Sequence, residues 1–259
     1  MKIDRIPPDT TLFDNGSSLT YEGGTTAVLL LHGWTGWTGR LAYLGGRLAA
    51  AGFTVRLPRL PGHGTNVQDF VASTWKDWLR RAVDEFVELR ARSDTVYVAG
   101  ASMGAILTIM LAAQFQVPRI ALLAPAVFTR SRLLFLAPVL QHVIPRLAGD
   151  WEAEQDPDPN AEAIGREYKT HNYTKAIAQL YHLQRLGRRI LPRLTSDTLV
   201  VVSKRDETVP PEVARYITDR SASDRVETLL LEESGHQVAQ GVERETVCKA
   251  VVDWFTERR

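Results

Sequence analysis

The segment Thr95–Gly104 constrains the fold of this chain more than any other. It reads Thr-Val-Tyr-Val-Ala-Gly-Ala-Ser-Met-Gly, and a largely apolar run continues from Ala105 to Leu111. This order predicts a strand, a sharp turn and a buried helix, with Ser102 at the apex of the turn. The G-x-S-x-G spacing in this context is typical of a nucleophile elbow, so we predict that Ser102 is a catalytic nucleophile.

The glycines on both sides of this serine have a steric purpose. At a sharp strand-to-helix turn, side chains two residues before and two residues after the serine would clash. Gly100 and Gly104 occupy those two positions. We therefore expect the Ser102 hydroxyl to project beyond the sheet, with the backbone amide of Met103 beside it. The alternative interpretation is that Ser102 is only a small residue at a tight turn.

The composition is that of an ordinary globular protein. The 259 residues are 44% hydrophobic and 24% charged, which suits one α/β domain with an insertion or two small domains. Lysine and arginine number 31 and aspartate and glutamate 30, so the charge balance indicates no nucleic-acid partner. No apolar run approaches the ~20 residues of a membrane span, and no signal peptide is visible. We expect a cytoplasmic protein without integral membrane association; the oligomeric state is left open.

Strands and helices alternate along most of the chain, which predicts a mostly parallel sheet with helices on both faces. The run at residues 26–31 is continuously apolar, which indicates a strand that is buried on both faces. Further strands are predicted at residues 53–57, 95–100, 119–123, 198–202 and 225–231. An Asn15-Gly16 pair predicts a hairpin of two further short strands near the N-terminus. The only cysteine, Cys248, is expected to pack within the last helix and not to act as a nucleophile.

The alternation is interrupted between residues 126 and 192. This stretch has no strand-like run and contains the apolar segment Phe128–Ile144. We predict a small helical cap at 126–192, inserted after the sixth strand, with the core formed by 1–125 and 193–259. The alternative is a set of extra core helices.

The predicted cap lies close in the chain to the nucleophile, and its apolar segment is suited to covering an acyl chain. We expect three of its side chains to line the substrate pocket, namely Phe128, Leu136 and Leu140.

In proteins with an open parallel sheet, the functional side chains lie beyond the carboxyl ends of the strands. A serine hydroxyl needs a base such as imidazole, and the imidazole needs a carboxylate that holds its tautomer. Asp206 and His236 each follow a predicted buried strand, and the order Ser102, Asp206, His236 is the one this architecture imposes. Glu207 is the rival for the acid. The rivals for the base precede the nucleophile or lie in the insertion, namely His32, His63, His142, His171 and His182.

Acyl transfer also needs two hydrogen-bond donors for the developing oxyanion. One donor is expected to be the backbone N–H of Met103, beside the nucleophile. The other is expected to be the backbone N–H of Trp34, in the loop that follows the strand ending at Leu31, with Thr35 as the alternative. The side chain of His32 is then structural.

Together these residues resemble the α/β-hydrolase superfamily, and in particular its small carboxylesterase and monoacylglycerol lipase branch. Five motifs carry the resemblance, in the family's order: His32-Gly33-Trp34, Gly62-His63-Gly64, Gly100–Gly104, Asp206–Pro210 and Gly235-His236. The resemblance covers nearly the whole chain and is weakest in the insertion. Ala105 departs from the second glycine that many members have after the elbow, and Trp37-Thr38-Gly39 adds bulk near the oxyanion loop.

The resemblance implies a serine carboxylic ester hydrolase that works through an acyl-enzyme and needs no cofactor and no metal. Its expected small-molecule substrates are short- to medium-chain acyl esters or monoacylglycerols. An aromatic (feruloyl-type) esterase, a thioesterase or another acyl hydrolase of the same fold is the alternative within enzymes. A catalytically inactive ligand-binding member is the alternative of another class.

Overall fold

The computed structural model describes residues 10–14, 16–149 and 161–257. The strands of its main sheet are β1 (Leu19–Tyr21), β2 (Thr26–Leu31), β3 (Thr54–Leu57), β4 (Thr95–Ala101), β5 (Arg119–Leu123), β8 (Asp197–Ser203) and β9 (Val226–Leu231). A separate ribbon contains β6 (Arg146–Ala148) and β7 (His171–Tyr173). The α-helices are α1 (Gly39–Ala50), α2 (Val67–Ala72), α3 (Trp75–Arg90), α4 (Met103–Phe115), α5 (Ala137–Leu140), α6 (Ala161–Lys169), α7 (Thr174–Ile190), α8 (Val213–Thr218) and α9 (Arg244–Thr256).

The main sheet has seven strands in the order β1-β3-β2-β4-β5-β8-β9. All neighbours pair in parallel except β1, which runs antiparallel to β3 at the edge. The carboxyl ends of β2, β4, β8 and β9 therefore lie at one edge of the sheet, where loops bring functional groups together. The predicted mostly parallel α/β sheet is confirmed.

Strand β2 is continuously apolar because both of its faces are covered. Leu29 and Leu31 pack into a core with α3 and α4, whereas Val28 and Leu30 pack into a second core with α1 and α9. Successive side chains of a strand point to opposite faces, so a strand covered on both faces buries every residue. The helices on both faces hold the strand ends rigidly.

The predicted N-terminal hairpin is not found in the described residues. The N–H of Gly16 donates to the carbonyl of Phe13 (2.9 Å), as a turn does, but the N–H of Phe13 donates to Gly64 and not to a partner strand. The first strand after this turn is β1, and it pairs with β3. Five strands of the described chain thus precede residue 126, where the sequence predicts six. Asn15 itself lies outside the described residues.

The segment 126–192, which the sequence predicts to be an insertion, contains more than short helices in its described part. Strands β6 and β7 form a two-stranded antiparallel ribbon, from Arg146 opposite Tyr173 to Ala148 opposite His171. Our expectation of no strand there was wrong, because three-residue strands are too short to show an alternating pattern. The longest helix, α7, packs against α4, so closely that a β-carbon on Gly187 would lie 2.4 Å from the Ile106 side chain.

Among the described residues, no helix has the length and apolar character that a membrane crossing requires.

Candidate active site

Ser102 joins β4 to α4 in a strained backbone conformation. Its φ of 54° and ψ of −111° lie outside the regions that non-glycine residues favour. Such a conformation costs roughly 1–3 kcal/mol and persists only where the surroundings enforce it. Here the Ser102 N–H donates to the carbonyl of Leu123 (2.8 Å), and the Ser102 carbonyl accepts from Ala105 (3.1 Å) and Ala126 (3.2 Å). The turn predicted from sequence is thus held by β5 and α4.

Gly100 and Gly104 occupy positions where a side chain would clash, as the sequence predicted. A β-carbon on Gly100 would lie 2.3 Å from the carbonyl oxygen of Gly104. A β-carbon on Gly104 would lie 2.0 Å from the carbonyl oxygen of Leu31. Both contacts are with backbone atoms, which have no rotamer to escape into, so only glycine fits at either position.

The three predicted triad residues meet at the edge of the sheet. His236 Nε2 lies 3.0 Å from Ser102 Oγ, and His236 Nδ1 lies 2.8 Å from Asp206 Oδ2. The second carboxylate oxygen of Asp206 accepts the N–H groups of Thr208 and Val209, each at 2.8 Å. Asp206 is 1% exposed, whereas the rival Glu207 points into solvent. Hydrogen bonds on both oxygens fix the carboxylate towards the imidazole.

Burial by itself would raise the pKa of Asp206. The hydrogen bond and charge of His236, together with the N–H groups of Val209 and Thr208, outweigh burial and lower this pKa below its ordinary value. Asp206 therefore stays ionised at neutral pH, and an imidazolium formed at His236 during a reaction would be stabilised.

His32 and His63 lie beneath the site and not in it. Both are fully buried, with ring centroids 5.1 Å apart. His32 Nδ1 lies 3.0 Å from the carbonyl of Gly33, while its Nε2 accepts the N–H of Leu60 (3.1 Å). Burial lowers the pKa of His32 to about 4 and that of His63 well below its ordinary value. These neutral histidines join the loop after β2 to the loop after β3. This agrees with the structural role predicted for His32.

The oxyanion loop lies directly against the nucleophile. A β-carbon on Gly33 would lie 3.1 Å from Ser102 Cβ and 3.8 Å from Ser102 Oγ. Within the described part of the chain, the backbone N–H groups of Trp34 and Met103 have no hydrogen-bond partner, and neither has that of Thr35. Thr35 also has a positive φ of 56°. The amides predicted for the oxyanion are therefore available, and the alternative at Thr35 stays open.

A cavity of about 260 Å³ opens beside Ser102 and His236. Residues from the oxyanion loop and α1 line one side, and residues of the insertion line another. Its described lining includes Trp34, Thr35, Arg40, Leu41, Ala126, Thr129, Lys169, Leu180, Thr208, Gln237 and Val238.

The three residues predicted to line the pocket are not among those that line this cavity. Phe128 packs edge-to-face on Tyr216, with ring centroids 5.2 Å apart. Leu136 is 37% exposed, and Leu140 is half-buried in α5, which packs on α7. These three side chains therefore do not line the cavity, and α7 supplies Leu180 in their place.

Sequence reasoning missed most of the lining residues. Leu180 had a detectable signal, because the apolar residues of α7 recur at helical spacing and Leu180 belongs to that apolar face. Gln237 and Val238 directly follow the predicted base. Arg40, Thr129 and Lys169 carried no local pattern, since only the packing of α1 and the insertion brings them to the cavity. No group of three or more His, Cys, Asp or Glu side chains in the described ranges is arranged to hold a metal ion.

The parallel sheet, the elbow serine and the ordered Ser-Asp-His contacts define the class of the alpha/beta hydrolases. The model of the alpha/beta hydrolase family matches residues 28–250, and the chain belongs to this family. That match includes all five motifs noted above.

Two curated relatives resemble the chain over nearly its whole length. It is 28% identical over 246 residues to the thermostable monoacylglycerol lipase of Bacillus sp. (strain H-257), covering 91% of this chain and 92% of that one. It is 26% identical over 239 residues to a carboxylesterase of Bacillus subtilis (strain 168), covering 91% and 94%.

Solved structures agree with the fold. One, from work on the metagenome-derived lipolytic enzymes LipS and LipT, has a TM-score of 0.86 at 27% identity, covering 96% of this chain and all of that chain (100%). The monoacylglycerol lipase of Paleococcus ferrophilus has a TM-score of 0.74 at 19% identity, covering 94% and 98%.

Proposed function

We propose that this protein is a serine carboxylic ester hydrolase with Ser102 as nucleophile, His236 as base and Asp206 as the acid that orients the base. The observation that carries the proposal is the pair of contacts at His236, 3.0 Å to Ser102 Oγ and 2.8 Å to Asp206 Oδ2. A serine hydroxyl is a weak nucleophile unless a base lies within hydrogen-bond reach. The lipolytic and esterase relatives support the same reaction.

The reaction proceeds through an acyl-enzyme. Ser102 Oγ attacks the ester carbonyl carbon as its proton passes to His236 Nε2, and the backbone N–H groups of Trp34 and Met103 bind the resulting oxyanion. The alcohol oxygen then leaves with the proton from His236, which leaves Ser102 esterified. Water gives a proton to His236 and attacks the acyl carbon. The carboxylic acid departs as Ser102 Oγ recovers the proton.

The size of the cavity favours small acyl groups. Ligand pockets commonly enclose roughly 300–1,000 Å³, and the cavity beside Ser102 measures about 260 Å³. We therefore favour short- to medium-chain acyl esters or monoacylglycerols as substrates. We further propose that residues 126–192 form a cap on the core of 1–125 and 193–259. Ala126, Thr129, Lys169 and Leu180 of that insertion line the cavity and support this division.

Replacement of the nucleophile tests the proposal. Ser102→Ala is expected to abolish turnover of p-nitrophenyl acyl esters, with the wild type most active on the shorter members of the series. Ser17→Ala removes an exposed hydroxyl and serves as the matched control. Retained turnover in Ser102→Ala would overturn the assignment.

The same series separates the alternatives. A feruloyl ester or an acyl thioester that is turned over much faster than every aliphatic oxygen ester would identify the aromatic esterase or the thioesterase. A folded protein that turns over no ester would favour the ligand-binding member. The cytoplasmic location expected from the sequence stays a prediction, which fractionation of producing cells tests.

A further inference from the structure

The turns that carry Asp206 and His236 are joined by contacts outside the triad. The N–H of Lys204 donates to the carbonyl of Leu231 (3.0 Å), which continues the pairing of β8 with β9. The hydroxyl of Ser203, the last residue of β8, donates to the carbonyl of Ser234. Ser203 and Ser234 are both buried, at 0% and 1% exposure. His236 thus lies two residues after Ser234, which is hydrogen-bonded to the end of β8.

A single carboxylate holds the turn before the base. Glu243 Oε2 accepts the N–H groups of Glu233 (3.0 Å) and Ser234 (2.8 Å) and the hydroxyl of Ser234 (2.7 Å). Glu243 Oε1 accepts the N–H of Glu232 (3.1 Å). Three consecutive backbone amides and one hydroxyl therefore converge on one side chain.

These hydrogen bonds favour the charged form of Glu243. The Ser234 hydroxyl and the three amides, opposed by partial desolvation, lower the pKa of Glu243 to about 2. The carboxylate is therefore ionised throughout the range in which an esterase works. Hydrogen bonds to a charged acceptor are shorter and stronger than neutral ones.

The position of Glu243 makes it a rigid anchor. It directly precedes α9, whose Val247 and Cys248 are fully buried against the sheet. The turn of the base is thus tied both to α9, through Glu243, and to β8, through Ser203. Two exposed ion pairs also join these turns, Lys204 with Glu232 and Arg205 with Glu233. Exposed pairs of this kind contribute little, because water and salt screen them.

We propose that Glu243 is a positioning residue for the catalytic base, acting through Ser234 and Ser203 to fix the separation of His236 from Asp206 and Ser102. This inference rests on the proposed function. Misplacing a catalytic group by about 1 Å can lower a rate by about 10²-fold, so a looser turn reduces catalysis without unfolding the protein.

The test compares the same substitution at two glutamates, Glu243, which accepts hydrogen bonds from the turn of the base, and Glu233, whose exposed side chain lies on that turn. Glu243→Gln keeps the side-chain shape, but its NH₂ group must face at least one donor of the turn. We expect kcat to fall about 10- to 100-fold with KM within about twofold of the wild type. Glu233→Gln removes one charge from an exposed ion pair of the same turn, and its kcat is expected to stay within about twofold.

The pH profile separates positioning from a merely structural role. In Glu243→Gln a looser contact between His236 and Asp206 stabilises the His236 imidazolium less. The acid limb of the pH profile of kcat/KM therefore shifts to lower pH. In Glu233→Gln the limb stays in place. Rates are expressed per active site, counted by fluorophosphonate titration, so that unfolded protein does not contribute. If Glu243→Gln does not fold, Ser203→Ala is measured in its place, with a fall in kcat and the same shift expected.

Two results would overturn the inference. One is a Glu243→Gln enzyme whose kcat and acid limb match those of Glu233→Gln. The other is a lower melting temperature with unchanged kcat per active site, which would make Glu243 a stabiliser of α9 only. A wild-type protein that neither hydrolyses esters nor reacts with the fluorophosphonate would overturn the proposed function, and this inference with it.

Discussion

His236 Nε2 lies 3.0 Å from Ser102 Oγ, although 134 positions separate the two residues in the chain. Ser102 follows β4 and His236 follows β9, and these strands are separated in the sheet by β5 and β8. The contact therefore depends on the loops at the carboxyl edge, which converge above the intervening strands. Asp206, on the loop after β8, contacts the imidazole of His236 on the side away from Ser102, so that the imidazole lies between the serine and the carboxylate.

Asp206→Asn is expected to leave the fold intact and to reduce kcat about 10³- to 10⁴-fold, because an amide can hold the imidazole in the wrong tautomer and does not stabilise its charged form. Steady-state kinetics on a short acyl ester measures the loss. Glu207→Gln is the matched control, since Glu207 is exposed and next in the chain. A comparable loss in Glu207→Gln, or none in Asp206→Asn, would contradict the role of Asp206.

Gly104→Ala is expected to destabilise the elbow severely, because the new methyl group would lie 2.0 Å from the carbonyl oxygen of Leu31. Overpacking of this kind costs typically 1–3 kcal/mol, and more against rigid backbone. Gly46→Ala, also within a helix, has nothing within 4 Å of the added carbon and is expected to stabilise by roughly 0.5–1 kcal/mol. Thermal unfolding of the two variants compares them; equal melting temperatures would refute the steric account.

Stability is expected to fall as the pH drops from about 7 to 5. Unfolded histidine takes up a proton near pH 6.5, whereas burial lowers the pKa of folded His32 to about 4 and lowers that of His63 well below its ordinary value. In this window the unfolded state binds more protons, so the free energy of unfolding decreases by up to about 1.4 kcal/mol per pH unit for each buried histidine.

Urea unfolding across this window measures the slope. His63→Gln is expected to reduce the slope by about half, whereas His142→Gln, at an exposed position, leaves it unchanged. A wild-type slope near zero would show that the buried pair does not govern the acid stability.

Leu180 is expected to limit the length of the acyl chain, because it lines the cavity from α7. Leu180→Ala is predicted to raise kcat/KM for an eight-carbon ester relative to a four-carbon ester by about tenfold, the scale of one or two methylene groups in an apolar pocket. Leu136→Ala makes the same change at a 37% exposed position and is expected to leave the profile unchanged. The reverse pattern, a changed profile in Leu136→Ala and an unchanged one in Leu180→Ala, would indicate that the acyl chain contacts Leu136 instead of Leu180.

The strand ends and the elbow were predictable because their signals are local. The run 26–31 and the glycines around Ser102 encode burial and steric need within a few residues. Gly33 and Asp206 were similarly marked by the strands that precede them. These features predict which residues lie at the carboxyl ends of the strands, where the candidate active site is found.

The remaining features depend on contacts between distant segments. Leu180 lines the cavity only because α7 packs on α4, and Phe128 turns away from it to pack on Tyr216. Glu243 looks like an ordinary helix-start acid in the sequence, and its bonds to Ser234 exist only once α9 is docked. The ribbon of β6 and β7 was missed because its strands have three residues each.

Mass-spectrometric mapping of the residue that a fluorophosphonate modifies in the folded protein tests the role of Ser102 most directly. We expect stoichiometric modification of Ser102, no modification in Ser102→Ala, and strongly slowed modification in Asp206→Asn. A folded wild-type protein that stays unmodified, or that is modified at another residue, would contradict the assignment of Ser102 as the nucleophile.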